Sequence, residues 1–439
     1  MKKLILVVCL CSFSSKLAAQ QAETGVEGLR FVAPMQIAVG ADNNFLVDRV
    51  QPGTPDVHTQ RLDDKVLMLT LPKVAYQNDS RRRQFVLSWV PEFELFKNNS
   101  DQNAMNHEAL ASFSYHLTRN VQIWLADNYK TSKDPGRALS NVFLLLPRSR
   151  YHENEVHAAL EFQPTPLTNV AIRYDGGYTK FGRPEPIHGQ ILDSRSSGYS
   201  LSLSRMLRPN QRIRATYSLF TITPIHQPNR SDDALDIPPR IEHPINSGTL
   251  EYRFGLNPST VLEFAGGIIK LDTGMNYTVR GSFHKRIGLF WAAGGYMRTL
   301  AFQAGPPNAF AHGLGSNGFY DVILMRLRGQ PTRRTAILFD TTISRDASNR
   351  VVEGNKSLMG RARFDYRLSD RNVLFASLDS FHQGRNDYVR APLSRNRFMM
   401  GIEISLSSES ERRSNRLNED AQYVALTDHE RRRRSLEED

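Results

Sequence analysis

Apolar and polar residues alternate one for one through most of this chain, with almost no helical periodicity beside that two-residue period. Between Leu358 and Leu368, one face carries Leu358, Gly360, Ala362, Phe364, Tyr366 and Leu368; the other carries Met359, Arg361, Arg363, Asp365 and Arg367. Phe398, Met400, Ile402, Ile404 and Leu406 alternate with Met399, Gly401, Glu403 and Ser405. Tyr199, Leu201 and Leu203 alternate with serines, and Ala109 to Leu117 repeats the pattern. Successive side chains of a strand point to opposite faces, so each segment makes a ribbon with one greasy and one wet side. Roughly eighteen such segments can be counted, sixteen being the alternative, and most can lay about 9–11 residues across an apolar layer. The first two span 29–46 and 64–75.

The connections alternate in length. Tight polar turns are expected at Thr118–Asn120, Pro164–Thr168, Arg208–Gln211, Asn257–Ser259, His284–Arg286, Gly329–Pro331 and Ser369–Arg371. Longer stretches rich in Gly, Pro, Asn and Asp lie between them, at Ser132–Tyr151, Lys180–Ser196, Thr223–Pro244, Ala304–Asn317, Asp346–Gly354 and His382–Ser394. Leu271–Met275 is short where a long loop is due. A soluble sandwich has no reason to sort its connections by parity. A transmembrane barrel does, with short turns at one end and long loops at the other. The expected fold is all-β: an antiparallel up-and-down transmembrane barrel of about 18 strands, with short periplasmic turns and long extracellular loops. Closure pairs every backbone group, so no sheet edge meets lipid. A mean hydropathy of −0.44 fits such a chain, because only the outer face must be apolar. Tyr115, Tyr252 and Tyr366 each stand just before a polar turn, the place of an aromatic girdle.

The N-terminus has the layout of a secretory signal peptide: Lys2 and Lys3, an apolar run from Leu4 to Phe13, then Ala18, Ala19 and Gln20. The run is too short to span a bilayer, and Lys-Lys rather than twin Arg favours the general secretory route. Both cysteines, Cys9 and Cys11, fall inside it, so the mature chain has none. Without disulfides, an exported chain of this length needs a large core or an extensive hydrogen-bonded sheet. The division expected is a signal peptide over 1–20, the barrel over 26–407 and a charged, disordered tail over 408–439. The formal charge is +11; removing the leader's three lysines and the tail's net −2 leaves +10 between them. That excess points to anionic surroundings, with outer-membrane lipid and lipopolysaccharide as the expected partners and no nucleic acid.

Units such as Tyr115–Leu125 and Tyr366–Ser377 resemble those of bacterial outer-membrane porins and channels. The segment Trp89–Leu139 is similar to outer-membrane barrels of environmental bacteria, some associated with exopolysaccharide systems. The resemblance implies a last strand read by the barrel-insertion machinery. Gly401, Ile404 and Leu406 take its places, with Leu406 where the family has an aromatic and 407–439 following. A homo-oligomer is compatible with porins of this size.

The polar faces should line the lumen, and several are basic: Arg212 and Arg214, Arg280 and His284, and Arg361, Arg363 and Arg367. A charged lining selects by sign, so this one favours anions. Against that, Glu92, Glu94, Glu251, Asp340, Asp379 and Glu403 are available to pair with the arginines and cancel selectivity. Glu153, Glu155, His157 and Glu161 share a face, which suits a hydrated stripe better than a metal site. Gly313–Gly318 matches a dinucleotide fingerprint by letter but lacks its strand-to-helix setting. No nucleophile elbow, zinc-protease motif or phosphate loop is present, so no catalytic residue or cofactor is expected. The expected function is a pore for small polar solutes. The alternatives are an export conduit for an acidic polysaccharide, or a closed structural or adhesive barrel presenting its loops.

Overall fold

The computed structural model describes residues 27–31, 34–43, 63–80, 82–134, 150–181, 194–224, 244–257, 259–271, 274–300, 319–347, 356–384 and 393–406. The expected signal peptide, the charged tail and the Gly313–Gly318 segment lie outside them. The strands are β1 (Glu27–Phe31), β2 (Met35–Asn43), β3 (Asp64–Thr70), β4 (Val74–Asp79), β5 (Arg83–Phe96), β6 (Ala104–His116) and β7 (Val121–Ser132). They continue as β8 (Tyr151–Thr165), β9 (Thr168–Phe181), β10 (Ser194–Arg208), β11 (Gln211–Pro224), β12 (Ile245–Asn257), β13 (Thr260–Leu271) and β14 (Gly274–Ile287). Last come β15 (Phe290–Leu300), β16 (Phe319–Gly329), β17 (Thr335–Asp346), β18 (Lys356–Arg367), β19 (Asn372–Gln383) and β20 (Leu393–Ile404).

Every pairing is antiparallel, and from β5 to β20 each strand pairs with its successor. The cylinder closes where β20 pairs with β2, from Met35 opposite Ile404 to Asn43 opposite Asn396. The twenty strands make eighteen staves, because β1 and β2 together form one and β3 and β4 another. The first two staves therefore span 27–43 and 64–79, each with a break, rather than the expected 29–46 and 64–75. Proline explains the breaks. Pro34 and Pro72 stand in the two gaps and Pro91 in β5 faces the second. None has an N–H for the ladder, so pairing stops and resumes after them.

Both ends of the ladder lie at the tight-turn end. Glu27 opposes Asn78 beside the reversal between β4 and β5, and Ile404 opposes Asn372 beside the turn at 368–371. One expected turn is displaced: β14 runs through His284 and Arg286 to Ile287, which pairs with Phe290. The reversal falls at Gly288 and Leu289, where Gly288 has φ +58°, a left-handed conformation that glycine adopts without steric cost. The short connection at the loop end is real, since Leu271 pairs directly with Gly274.

Contacts that skip a strand identify the concave side. Arg397 on β20 reaches Glu94 on β5 at 2.8 Å, and Arg280 on β14 reaches Glu251 on β12 at 2.7 Å. Only side chains pointing into a cylinder can bridge it along such chords. The opposite parity carries exposed apolar residues: Leu201, Leu203, Tyr217, Leu250, Phe264, Ile268, Phe364, Leu378 and Phe398 among them. Tyr115, Tyr252 and Tyr366 share this outward parity, as a girdle requires. A closed antiparallel barrel with an apolar exterior is a transmembrane barrel of the outer-membrane type. Among the described residues no helix is long and apolar enough to cross a membrane.

Candidate functional site

The seven basic residues expected in the lumen all have the inward parity. Arg212 and Arg214 on β11 oppose Arg253 and Glu251 of β12. Arg280 and His284 on β14 oppose Ala265 and Val261 of β13. Arg361, Arg363 and Arg367 on β18 oppose Asp379, Ser377 and Val373 of β19. They do not form one ring. Arg212, Arg214, Arg280 and His284 gather on β11–β14, while the β18 arginines stand four staves further round.

Pairing across the wall is extensive. Glu251 lies 3.7 Å from Arg212 and 2.7 Å from Arg280, with Arg214 directly opposite in register. Arg253 meets Glu263 at 3.5 Å. Arg326 forms a two-pronged contact with Asp340, at 2.5 and 3.1 Å. Arg361 meets Asp379 at 2.5 Å, and Arg363 meets both Asp365, at 2.7 Å, and Glu403. The Arg363 guanidinium also lies 4.5 Å from the centre of the Phe375 ring. Five arginines (Arg212, Arg214, Arg253, Arg280 and Arg286) surround two carboxylates on the inward face of β11–β14, so that sector stays net positive after pairing.

Acidic residues concentrate on the other side. Glu92, Glu94, Glu108, Glu153, Glu155, Glu161 and Asp175 point inward from β5, β6, β8 and β9, against Lys130 and Arg173. His157 is held by Asp175 at 2.7 Å, lies 3.9 Å from Glu155 and stacks near Trp124. Among the described residues no three His, Cys, Asp or Glu side chains converge on a common point for a metal ion. The interior is thus polarised from side to side, with acidic and basic walls in different staves.

Much of this lining is wet. Arg361 and Arg280 keep 55% and 46% of their side-chain surface, although both face the interior. Inward Trp124, Trp291, Leu324 and Met359 are also exposed. The closure seam differs. There Ala38, Val66, Met68, Phe96, Phe375 and Met399 pack as a buried apolar cluster. Above it Arg395 grips Asp42 through Nε at 3.0 Å and Nη2 at 2.7 Å, and the same Nη2 meets Asp134 at 2.7 Å. Asp134 lies two residues beyond the end of β7, five staves from β20, so this contact crosses the interior rather than running along the wall.

The sequence reading missed this group. Arg395 and Arg397 share the parity of Met399 in the very strand used to show alternation, which was signal enough to place them inside. Nothing in the spacing said that Asp42, Glu94 and Asp134 would meet them. Gly401 and Ile404 lie in β20, with Leu406 just beyond it, so the strand expected last is the one that closes the cylinder.

No protein-family model and no curated protein matches this sequence. Solved structures with a similar strand path include Pseudomonas aeruginosa OpdO, at 12% identity and TM-score 0.43, covering 84% of this chain and 96% of that one. Acinetobacter baumannii OccAB4 matches at 8% identity and TM-score 0.46, covering 87% and 98%. The siderophore receptor PirA from Pseudomonas aeruginosa matches at 9% and 0.38, covering 87% and 81%. These likenesses are loose, and the fold assignment rests on the closed ladder and its apolar exterior.

Proposed function

We propose that this barrel is an outer-membrane pore for small polar solutes, with a preference for anions. The observation that carries the reading is the wet lining: Arg173 and Asp175 on β9, Arg280 on β14, Arg361 on β18 and Asp379 on β19 face inward and keep 38–55% of their side-chain surface. A barrel packed solid would bury them. Anion preference rests on the net positive inward face of β11–β14 and on the arginines of β18, since a wall of one sign raises the local concentration of the other. Export by the general secretory route and insertion through Gly401, Ile404 and Leu406 complete the proposed route to the membrane.

Reconstitution in planar bilayers tests both parts. Discrete single-channel conductance is expected, and replacing Arg361 and Arg363 together by Gln should lower the anion-to-cation permeability ratio. A folded, inserted barrel that conducts nothing defeats the pore. Unchanged selectivity in the double variant defeats the role of lumen charge.

A further inference from the structure

The outward face of the closure seam carries a feature that conduction does not use. Val39, Leu67, Leu95, Phe398 and Met400 wall an apolar groove of about 560 Å³ that opens toward lipid. Its origin lies in the register. Ala41 stands between Phe398 on β20 and Lys65 on β3, so a methyl group separates two long side chains and leaves a trough. The row below, Met400, Val39, Leu67 and Leu95, is wholly apolar.

Two exposed lysines close the groove at its loop end. Lys65 lines it, and Lys97 lies beside Lys65, donating its backbone N–H to the Lys65 carbonyl at 3.0 Å. The chain beyond Lys97 is anchored, because Asp64 accepts the backbone N–H groups of Asn98 and Asn99 at 2.9 and 3.0 Å and both side-chain amides. Asp64 itself is buried and faces inward, and the exposed Asp63, two residues before Lys65, offsets one of the two ammonium charges and leaves the mouth of the groove net positive. Lysine stems can lie along an apolar wall while the ammonium groups stay at the polar boundary.

The same level of the exterior is basic elsewhere. Lys180, Arg195, Lys270, Arg345 and Lys356 all point outward near the loop end and are exposed, against Asp127 and Asp321 among the described residues. A belt of cations just above an apolar band suits a leaflet whose headgroups carry phosphate.

The geometry points to a lipid site at the seam: the groove receives an acyl chain of a phosphorylated glycolipid of the lipid A type, and Lys65 and Lys97 hold its phosphate. This rests on the barrel lying in an outer membrane with its loops outward, and it adds a defined site to that environment. Neither lysine faces the lumen, so occupancy is separate from transport.

The test inserts the full chain into phosphatidylethanolamine vesicles containing a small fraction of lipid A or of dephosphorylated lipid A. Lipid remaining on the barrel after detergent extraction is counted by native mass spectrometry. Lipid A is expected to be retained over its dephosphorylated form. Lys65→Gln with Lys97→Gln should weaken lipid A retention about twenty-five-fold, about fivefold for each charge, and leave the dephosphorylated form unaffected. Ala41→Phe, which fills the trough, should weaken both forms, while heat-modifiable migration and conductance stay as in the unaltered barrel. Equal retention of lipid A by the lysine variant overturns the site, as does equal retention of the two lipids by the unaltered protein. Displacement of lipid A by millimolar inorganic phosphate would show a free-anion site and overturn the lipid assignment. An inserted, heat-modifiable barrel that retains no lipid A defeats the site alone; failure to insert defeats the membrane location with it.

Discussion

Arg395 and Arg361 both face inward from the barrel wall, yet one is buried against two carboxylates and the other is half bathed in water. Parity within a strand is the same for both. What differs is the opposite side of the interior. At the seam, β2, β3, β5, β19 and β20 bring their inward side chains into mutual contact, and Asp134 joins them from beyond β7. Around β11–β18, Arg280, Leu324, Met359 and Arg361 meet their neighbours in the wall and then solvent, while Ile245 and Ile269 pack with Phe319 in a second buried cluster near the loop end. Water screens an exposed ion pair to about 0–1 kcal/mol, whereas a buried charge deprived of its partner costs several times that.

The comparison breaks most easily at the arginines. Arg395→Ala leaves Asp134 buried without its arginine and Asp42 with only the more distant Arg397, at 3.9 Å, and should destabilise the barrel by about 3–5 kcal/mol, measured by urea unfolding in lipid vesicles. Arg361→Ala should cost at most about 1 kcal/mol in the same assay. Comparable losses at the two sites would erase the distinction between seam and lumen.

Methionines sharpen it next. Met399 is 3% exposed in the seam cluster and Met359 is 42% exposed on the inward face of β18. Met399→Ala should cost about 2–4 kcal/mol by lost transfer and an unfilled cavity, and Met359→Ala well under 1 kcal/mol. A large loss at Met359 would mean that the lumen beside β18 is packed.

Glycines give the smallest contrast. A Cβ on Gly40 would stand 1.9 Å from the Phe398 carbonyl oxygen, whereas one on Gly266 meets nothing within 4 Å. Gly40→Ala should therefore cost about 1–3 kcal/mol through forced backbone movement at the seam. Gly266→Ala should be neutral or stabilising by up to about 1 kcal/mol through its effect on the unfolded chain. The temperature at which unboiled protein loses its compact gel migration would rank the two.

Alternation made most of the wall legible from sequence. It assigned Arg361 and Phe364 to opposite faces and placed all seven lumen candidates on the inward side, because side-chain direction along a strand depends only on local geometry. Loop parity told the tight-turn end of the cylinder from the other, because a short reversal is likewise decided by local sequence. Local chemistry was misjudged where two signals competed: the charged run at His284–Arg286 looks like a turn, but Gly288 supplies the conformation that the reversal needs. Prolines 34, 72 and 91 broke ladders that period alone read as continuous. The seam cluster was beyond reach, since Arg395 and Asp134 are separated by 261 residues and meet only because the cylinder's curvature brings them together.

That separation bears on assembly. Asp42 and Arg395 are 353 positions apart, and each sits on one of the two strands that must find each other last. Until β20 arrives, β2 and β19 are open edges with unpaired amides and carbonyls, an arrangement that hydrocarbon does not tolerate. Joining partners so distant along the chain is slow, because loop closure is paid before the contact rewards it. A bidentate arginine waiting at the final junction makes that last step steep. The seam thereby acts as a clasp, fastening only a hoop whose every stave is already in place.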